Sequence, residues 1–384
     1  MCKYITLLVL LSLFNLPAIA QPVQSALELY EEGIKLIEEN KYEEAVKVLK
    51  AAVEKKPDYT EALYETGWCY NELENYDSAI VYLNKAKQTG QSLAKIYFEL
   101  GYAYDNTGDR GEAINNYIKT LETEPDHYNA ARNLGDIYYS DGNYEKAAGY
   151  YKLYIDNSDE PDNNYYYKLG WSLNDLGKYE EAVTYLEKYE PEDDEDKAKK
   201  MAELGYAHYK NGEYELSVLD YSNALDFKPG YGAATRGIAD SYYAKEDYSN
   251  ALKYYQQAVD EDEEHSQSCY YRIGWIFNDK ENYAEAITAL QKAVEYDAKD
   301  AANHEELGYA YYMTDKYDDA IAELNKAIEL NENSRLGYYY KGLCYIALSD
   351  KTSAREVYEK LKTVNEEQAE KLRKKIEGEK KTGF

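Results

Sequence analysis

Leu100-Gly101-Tyr102-Ala103-Tyr104, with Ala113 nine residues further on, is the stretch that decides the fold, because variants of it return along almost the whole chain. The small residue at its second position recurs at Gly33, Gly67, Gly101, Gly135, Gly170, Gly205, Ala239, Gly274, Gly308 and Gly342, at intervals of 34 or 35 residues. A second small residue keeps step twelve places later, at Ala45, Ala79, Ala113, Ala147, Ala182, Ser217, Ala251, Ala286, Ala320 and Ala354. A fixed interval of this size marks a solenoid of stacked units, each burying its apolar face on its neighbours. Glycine inside a helix costs about 1 kcal/mol relative to alanine. A chain that accepts this cost at nine positions needs a return, and the return expected is close approach of a helix presenting glycine to one presenting alanine.

Within each interval the first helix carries the glycine and the second the alanine. A polar turn joins them, as in Asn106-Thr107-Gly108-Asp109 and Ser140-Asp141-Gly142-Asn143. A tyrosine commonly opens the second helix, at Tyr42, Tyr76, Tyr144, Tyr179, Tyr214, Tyr248, Tyr283 and Tyr317. Repeat 2 carries Leu63, Gly67, Tyr70, Ala79, Leu83 and Ala86 in series, and Pro57, Pro125 and Pro229 lie near the ends of repeats 1, 3 and 6. This pattern resembles the tetratricopeptide repeat, a helix-turn-helix unit. The resemblance covers about residues 26–368 as ten repeats: 26–59, 60–93, 94–127, 128–161, 163–196, 198–231, 232–265, 267–300, 301–334 and 335–368. It implies an all-α fold, an α-solenoid wound as a right-handed superhelix of about one turn, and a non-enzymatic scaffold that binds protein in its concave groove. The unbroken interval predicts one elongated array. Residues 369–384 continue as a charged helix and tail in which Ala369, Leu372 and Ile376 keep helical spacing, as a helix capping the open end would.

Residues 1–20 stand apart from the repeats. Lys3, the mostly apolar run Ile5 to Leu16 and the small-x-small triplet Ala18-Ile19-Ala20 have the layout of a secretory signal peptide, followed by a short lead over residues 21–25. Export to a bacterial periplasm or the extracellular space is the expectation. The apolar run is shorter than the ~20 residues that span a bilayer, and no longer one follows. With 44 basic against 73 acidic side chains the formal charge is −29, which repels nucleic acid backbones and anionic membranes and favours a basic or neutral protein partner.

Candidate chemistry is sparse. His127, His208, His265 and His304 are isolated, and His304-Glu305-Glu306 lacks the second histidine of a zinc site. No nucleophile elbow, phosphate loop or paired Cys/His set is present, so no catalytic residue, metal or cofactor is expected. Cys69 and Cys344 read as small core side chains, whereas Cys269, near a helix start, is a thiol through which two chains could pair. The acidic runs Glu190 to Asp196 and Asp260 to Glu264 read as solvated loops between repeats.

A longer period is nested in the short one. Trp68, Trp171 and Trp275 each follow the repeat glycine, in the matching settings Tyr64-x3-Trp68-x2-Asn71, Tyr167-x3-Trp171-x2-Asn174 and Tyr271-x3-Trp275-x2-Asn278. The following repeats match as well, with Glu99 to Tyr102, Glu203 to Tyr206 and Glu306 to Tyr309. A third set holds Arg132, Asp136 and Tyr139, then Arg236, Asp240 and Tyr243, and departs in the last copy to Tyr339, Leu343 and Ile346. Repeats 2–4, 5–7 and 8–10 are thus copies of a three-repeat unit. Tyr, Trp and Asn at i, i+4 and i+7 share one helical face, which the resemblance places in the groove. Two readings stand: polar-aromatic stations that hold a peptide or, alternatively, a glycan or cell-wall sugar, and aromatic packing between neighbouring first helices.

Overall fold

The computed structural model describes residues 24–263 and 267–378. The expected signal peptide, His265 and the end of the tail lie outside them. The described residues form twenty-one helices and no strand. They belong to two compact units, Met1–Asp159 and Glu160–Phe384. The boundary between them falls in the loop of residues 158–163 around Pro161.

The first unit holds repeats 1–4: α1 (Ala26–Glu38), α2 (Tyr42–Lys55), α3 (Thr60–Glu72), α4 (Tyr76–Lys87), α5 (Leu93–Thr107), α6 (Arg110–Thr123), α7 (Tyr128–Ser140) and α8 (Tyr144–Asn157). The second holds repeats 5–10: α9 (Asn164–Asp175), α10 (Tyr179–Lys188), α11 (Asp194–Lys210), α12 (Tyr214–Phe227), α13 (Gly232–Ala244), α14 (Tyr248–Glu261), α15 (Cys269–Asp279), α16 (Tyr283–Tyr296), α17 (Ala301–Met313), α18 (Tyr317–Leu330), α19 (Arg335–Ala347) and α20 (Lys351–Val364). It ends with α21 (Glu366–Glu377). Within each unit every helix packs on its sequence neighbours, and several first helices of successive repeats also touch, as α3 and α5 or α9 and α11 do.

The glycine comes close to the alanine's helix, but the space a Cβ would take is filled first by the residue four beyond the alanine. A Cβ added to Gly67, Gly170, Gly274 or Gly308 would come within 2.4–2.6 Å of Leu83, Leu186, Leu290 or Leu324. On Gly101 and Gly135 it would meet the rings of Tyr117 and Tyr151 at 2.6 and 2.5 Å. Missing Cβ atoms thus make room for a large side chain laid across the first helix, and the favourable burial of Leu or Tyr offsets the low helix propensity of glycine. The alanines keep the second helix close and are fully buried. Ser217 takes one of their places because its hydroxyl is satisfied, by Gly205 O and Ser241 Oγ, both at 2.8 Å.

Every intra-repeat turn closes in the same way. The seventh residue after the small one takes a left-handed φ, between 56° and 83°, at Asn40, Glu74, Gly108, Gly142, Gly177, Gly212, Glu246, Glu281, Asp315 and Ser349. The next N–H then reaches back to the carbonyl five residues earlier, as Asn75 does to Tyr70 O at 2.8 Å, satisfying an otherwise open helix end. At the far end Leu372 of α21 lies against Gly342, where an added Cβ would meet it at 2.5 Å, and Ala369, Leu372 and Ile376 are buried. The last repeat is closed by the helix that follows it.

Three expectations are corrected by burial and capping. Cys269 is 2 % exposed, and burial pushes its thiol, like those of Cys69 and Cys344, up to about 12, so none of the three is placed to pair between chains. The acidic run at residues 190–196 is not all loop. Asp193 caps α11, accepting from Asp196 N at 2.8 Å, and Asp194 to Asp196 form its first turn, where carboxylates meet the positive end of the helix dipole. His208 and His304 are not isolated: their Nδ1 atoms lie 2.6 Å from Asp220 Oδ2 and Glu323 Oε2.

Candidate functional site

The three asparagines of the long period occupy the last turn of α3, α9 and α15, where their side chains turn toward the first helix of the next repeat. Asn71, Asn174 and Asn278 are 3, 3 and 5 % exposed. Each donates through Nδ2 to both the main-chain carbonyl and the carboxylate of the glutamate one repeat on: Glu99 at 3.1 and 2.8 Å, Glu203 at 3.1 and 2.8 Å, Glu306 at 3.2 and 2.8 Å. The polar members of the stations are thus interior links between repeats rather than groups displayed on a surface. They hold the glutamates instead. Burial raises the carboxyl of Glu99 to about 7 against the pull of its Asn71 hydrogen bond, with Glu72 and Glu65 adding to the rise. Glu203 and Glu306 are raised for the same first reason.

The aromatic members are half-buried and packed edge to face. Trp68 meets Tyr42, which opens the preceding second helix, at 5.6 Å between ring centroids, and Trp275 meets Tyr248, its counterpart, at 5.3 Å. Trp171 is half-buried in the same position of its helix. Trp275 also touches Tyr243 at 5.6 Å, and Arg272 lies over that ring at 4.4 Å. Tyr102, Tyr206 and Tyr309 each stand T-shaped on the tyrosine that opens the preceding second helix, Tyr76, Tyr179 and Tyr283, at 6.1, 6.0 and 6.1 Å. Tyr64, Tyr167 and Tyr271 are half-buried, Tyr167 against Tyr189. Arg132 reaches Asn133 Oδ1 at 3.3 Å, and Tyr139 packs on Tyr144. Arg236 is half-buried one turn from Asp240, whose carboxylate accepts from Tyr255 Oη at 2.6 Å.

The structure gathers part of this set into one cavity. Between repeats 8, 9 and 10 a pocket of about 300 Å³ is lined by Trp275, Asn278, Tyr309, Tyr283, Leu336 and Tyr340, with Asp279, Glu281, Glu305 and Glu306 around them. Tyr271, though in the same sequence motif, does not line it. Tyr340 and Tyr283 are members that the long period did not single out. Tyr283 was hidden among the tyrosines that open second helices, and Tyr340 takes the position of Asn133 and Gly237 in the other units, so it breaks the period instead of following it. The pocket contains four carboxylates and no basic side chain. Among the described residues no group of side chains is arranged to hold a metal ion, and no helix is long and apolar enough to cross a membrane.

No curated protein matches the chain at a significant score. Solved structures similar to it include YrrB, a TPR protein with an unusual peptide-binding site, at 21 % identity over 46 % of this chain and 92 % of that one, with a TM-score of 0.44. MamA from Desulfovibrio magneticus RS-1, from its residue 41 to the end, is similar at 19 % identity over 45 % of this chain and 97 % of that one, TM-score 0.42. The C-terminal part of a TPR repeat-containing protein from Cytophaga hutchinsonii is similar at 18 % identity over 72 % of this chain and 99 % of that one, TM-score 0.37. Models of the tetratricopeptide repeat match residues 36–101, 98–161, 164–190, 202–266, 271–335 and 314–368. With ten helix pairs, eight of which close a large side chain of the second helix over a glycine of the first, and with these models covering more than half of its length, the chain belongs to the tetratricopeptide repeat family of protein-interaction scaffolds.

Proposed function

We propose that this protein is an exported, non-catalytic scaffold that docks a basic or neutral segment of another protein on the surface built by its first helices. The observation that carries this reading is the pocket of repeats 8–10, where four carboxylates and the rings of Trp275, Tyr283, Tyr309 and Tyr340 converge with no basic side chain among them. Aromatic anchors in a partly desolvated depression are what interfaces use as hot spots, and the charge selects the partner's sign. Export is supported by Lys3, the apolar run after it and Ala18-Ile19-Ala20. The glycan alternative draws on the same rings, but the carboxamides of Asn71, Asn174 and Asn278 that would take sugar hydroxyls are buried, with their Nδ2 atoms engaged inside the fold.

The test is capture from an envelope extract by the mature chain, set beside a Trp68/Trp171/Trp275→Ala triple variant of matched helicity. A protein retained by the first, lost by the second and released by moderate salt is the expected result, because a partner held through opposite charge is screened. Identical retention by both chains would remove the aromatic surface as the docking site.

A further inference from the structure

We infer that the pocket between repeats 8 and 10 is a receptor for one alkylammonium group, the side chain of a lysine carried by the docking segment. The inference rests on the reading that the first helices of these repeats receive a protein, and it adds which chemical group enters and where.

Two observations point to it independently. The cavity joins aromatic walls to carboxylates, the arrangement that holds a cation by ring faces and charge together. An ammonium brings three donors, which the four carboxylates of the lining can accept.

The strongest observation is the chain's own occupant at the homologous place. In repeats 5–7 the ring pair Tyr179–Tyr206, 6.0 Å apart at 80°, repeats the geometry of Tyr283–Tyr309, 6.1 Å apart at 87°. Over the former pair lies an ammonium: Lys210 Nζ is 6.0 Å from the Tyr179 ring and 5.8 Å from that of Tyr206. The residue at the position of Lys210 in repeats 8–10 is Met313, which is 39 % exposed and brings no charge. The same copy gains walls the others lack. Leu336 and Tyr340 stand where the earlier units have Asn129 and Asn133, then Ala233 and Gly237, and the Tyr340 ring sits 4.8 Å from that of Tyr309. One copy therefore fills the ring pair with its own lysine, and another builds a deeper pocket around the same pair and leaves the cation to come from outside.

The experiment is calorimetric titration of the full mature chain with three probes: a blocked peptide with one lysine between glycines, the same peptide with that lysine Nε-acetylated, and free cadaverine. Each is repeated on Met313→Lys, which supplies the internal ammonium that Lys210 supplies in repeats 5–7. The lysine peptide is expected to bind at least about tenfold more tightly than its acetylated form, and Met313→Lys to weaken it by about tenfold at an unchanged melting temperature. Equal binding of the two peptides, or a variant that binds like the wild type, would overturn the site. Cadaverine binding as tightly as the peptide would overturn the partner's lysine as its occupant. A protein captured from extract by wild type and Met313→Lys alike, with no ammonium binding, sinks the pocket and leaves the scaffold. Ammonium binding with nothing captured upholds the pocket and sinks the scaffold.

Discussion

At the scale of single residues, the asparagine–glutamate link is the device this chain repeats most faithfully, and its geometry varies by no more than 0.1 Å over three copies. It has a consequence for stability. The Glu99 carboxyl, raised by burial from 4.5 to about 7, keeps its proton in the folded state over a range where the unfolded chain has lost it. The folded state then binds more protons, so stability falls as pH rises from 4.5 toward about 7. The groups facing Glu99 are Asn71, which lowers its pKa, and Glu72 and Glu65, which raise it. Glu99→Gln keeps the acceptor and removes the charge. The wild type is expected to melt at lower temperature at about pH 8 than at about pH 5, and the variant to lose part of that difference. An equal loss in both proteins would assign the dependence to other groups.

Among elements, the turns show how little of a conformation has to be written in the residue that adopts it. Ten turns share one left-handed position, four of them with glycine and six with Asn, Glu, Asp or Ser. A side chain there costs about 1–2 kcal/mol, which the packed helices on both sides override. Glu246, at φ 60°, is exposed and makes no contact with the pocket. Glu246→Gly should therefore stabilise the protein by about 0.5–1 kcal/mol, the relief of strain less the greater freedom of glycine in the unfolded chain. Urea denaturation measures it, and a destabilised variant would mean that the Glu246 side chain contributes more than its backbone costs.

The largest scale is that of the repeat array, whose stability is close to a sum over repeats and their nearest neighbours. Such an array is weakest at an end, and in Glu160–Phe384 the end is closed by α21. A chain stopped after Val364 loses the burial of Leu372 and Ile376, worth about 3–6 kcal/mol together, and uncovers Gly342, Val357 and Leu361. Hydrogen exchange is expected to show repeat 10 losing protection first and furthest, with repeat 5 little changed. Uniform loss across residues 160–364 would show instead that these repeats unfold as one cooperative body.

Much of this was legible in the bare chain. The interval of 34 or 35 residues, the paired small residues and the tyrosines opening second helices determined the ten helix pairs, the family and the capping helix, because each depends on contacts within a repeat or to the next one, and those contacts recur wherever the sequence does. The partner of the repeat glycine was not legible. Its position alternates between Leu and Tyr, as at Leu83 and Tyr117, so no single residue type marks it. Nor was the direction of Asn71, Asn174 and Asn278, since a period reports that a residue returns, not whether it turns to solvent or to the helix some 28 residues away. The pocket belongs wholly to the tertiary structure. It needs Trp275, Tyr309 and Tyr340 from three successive repeats brought side by side. Trp275 and Tyr340 are far apart along the chain, at a distance that no local pattern spans.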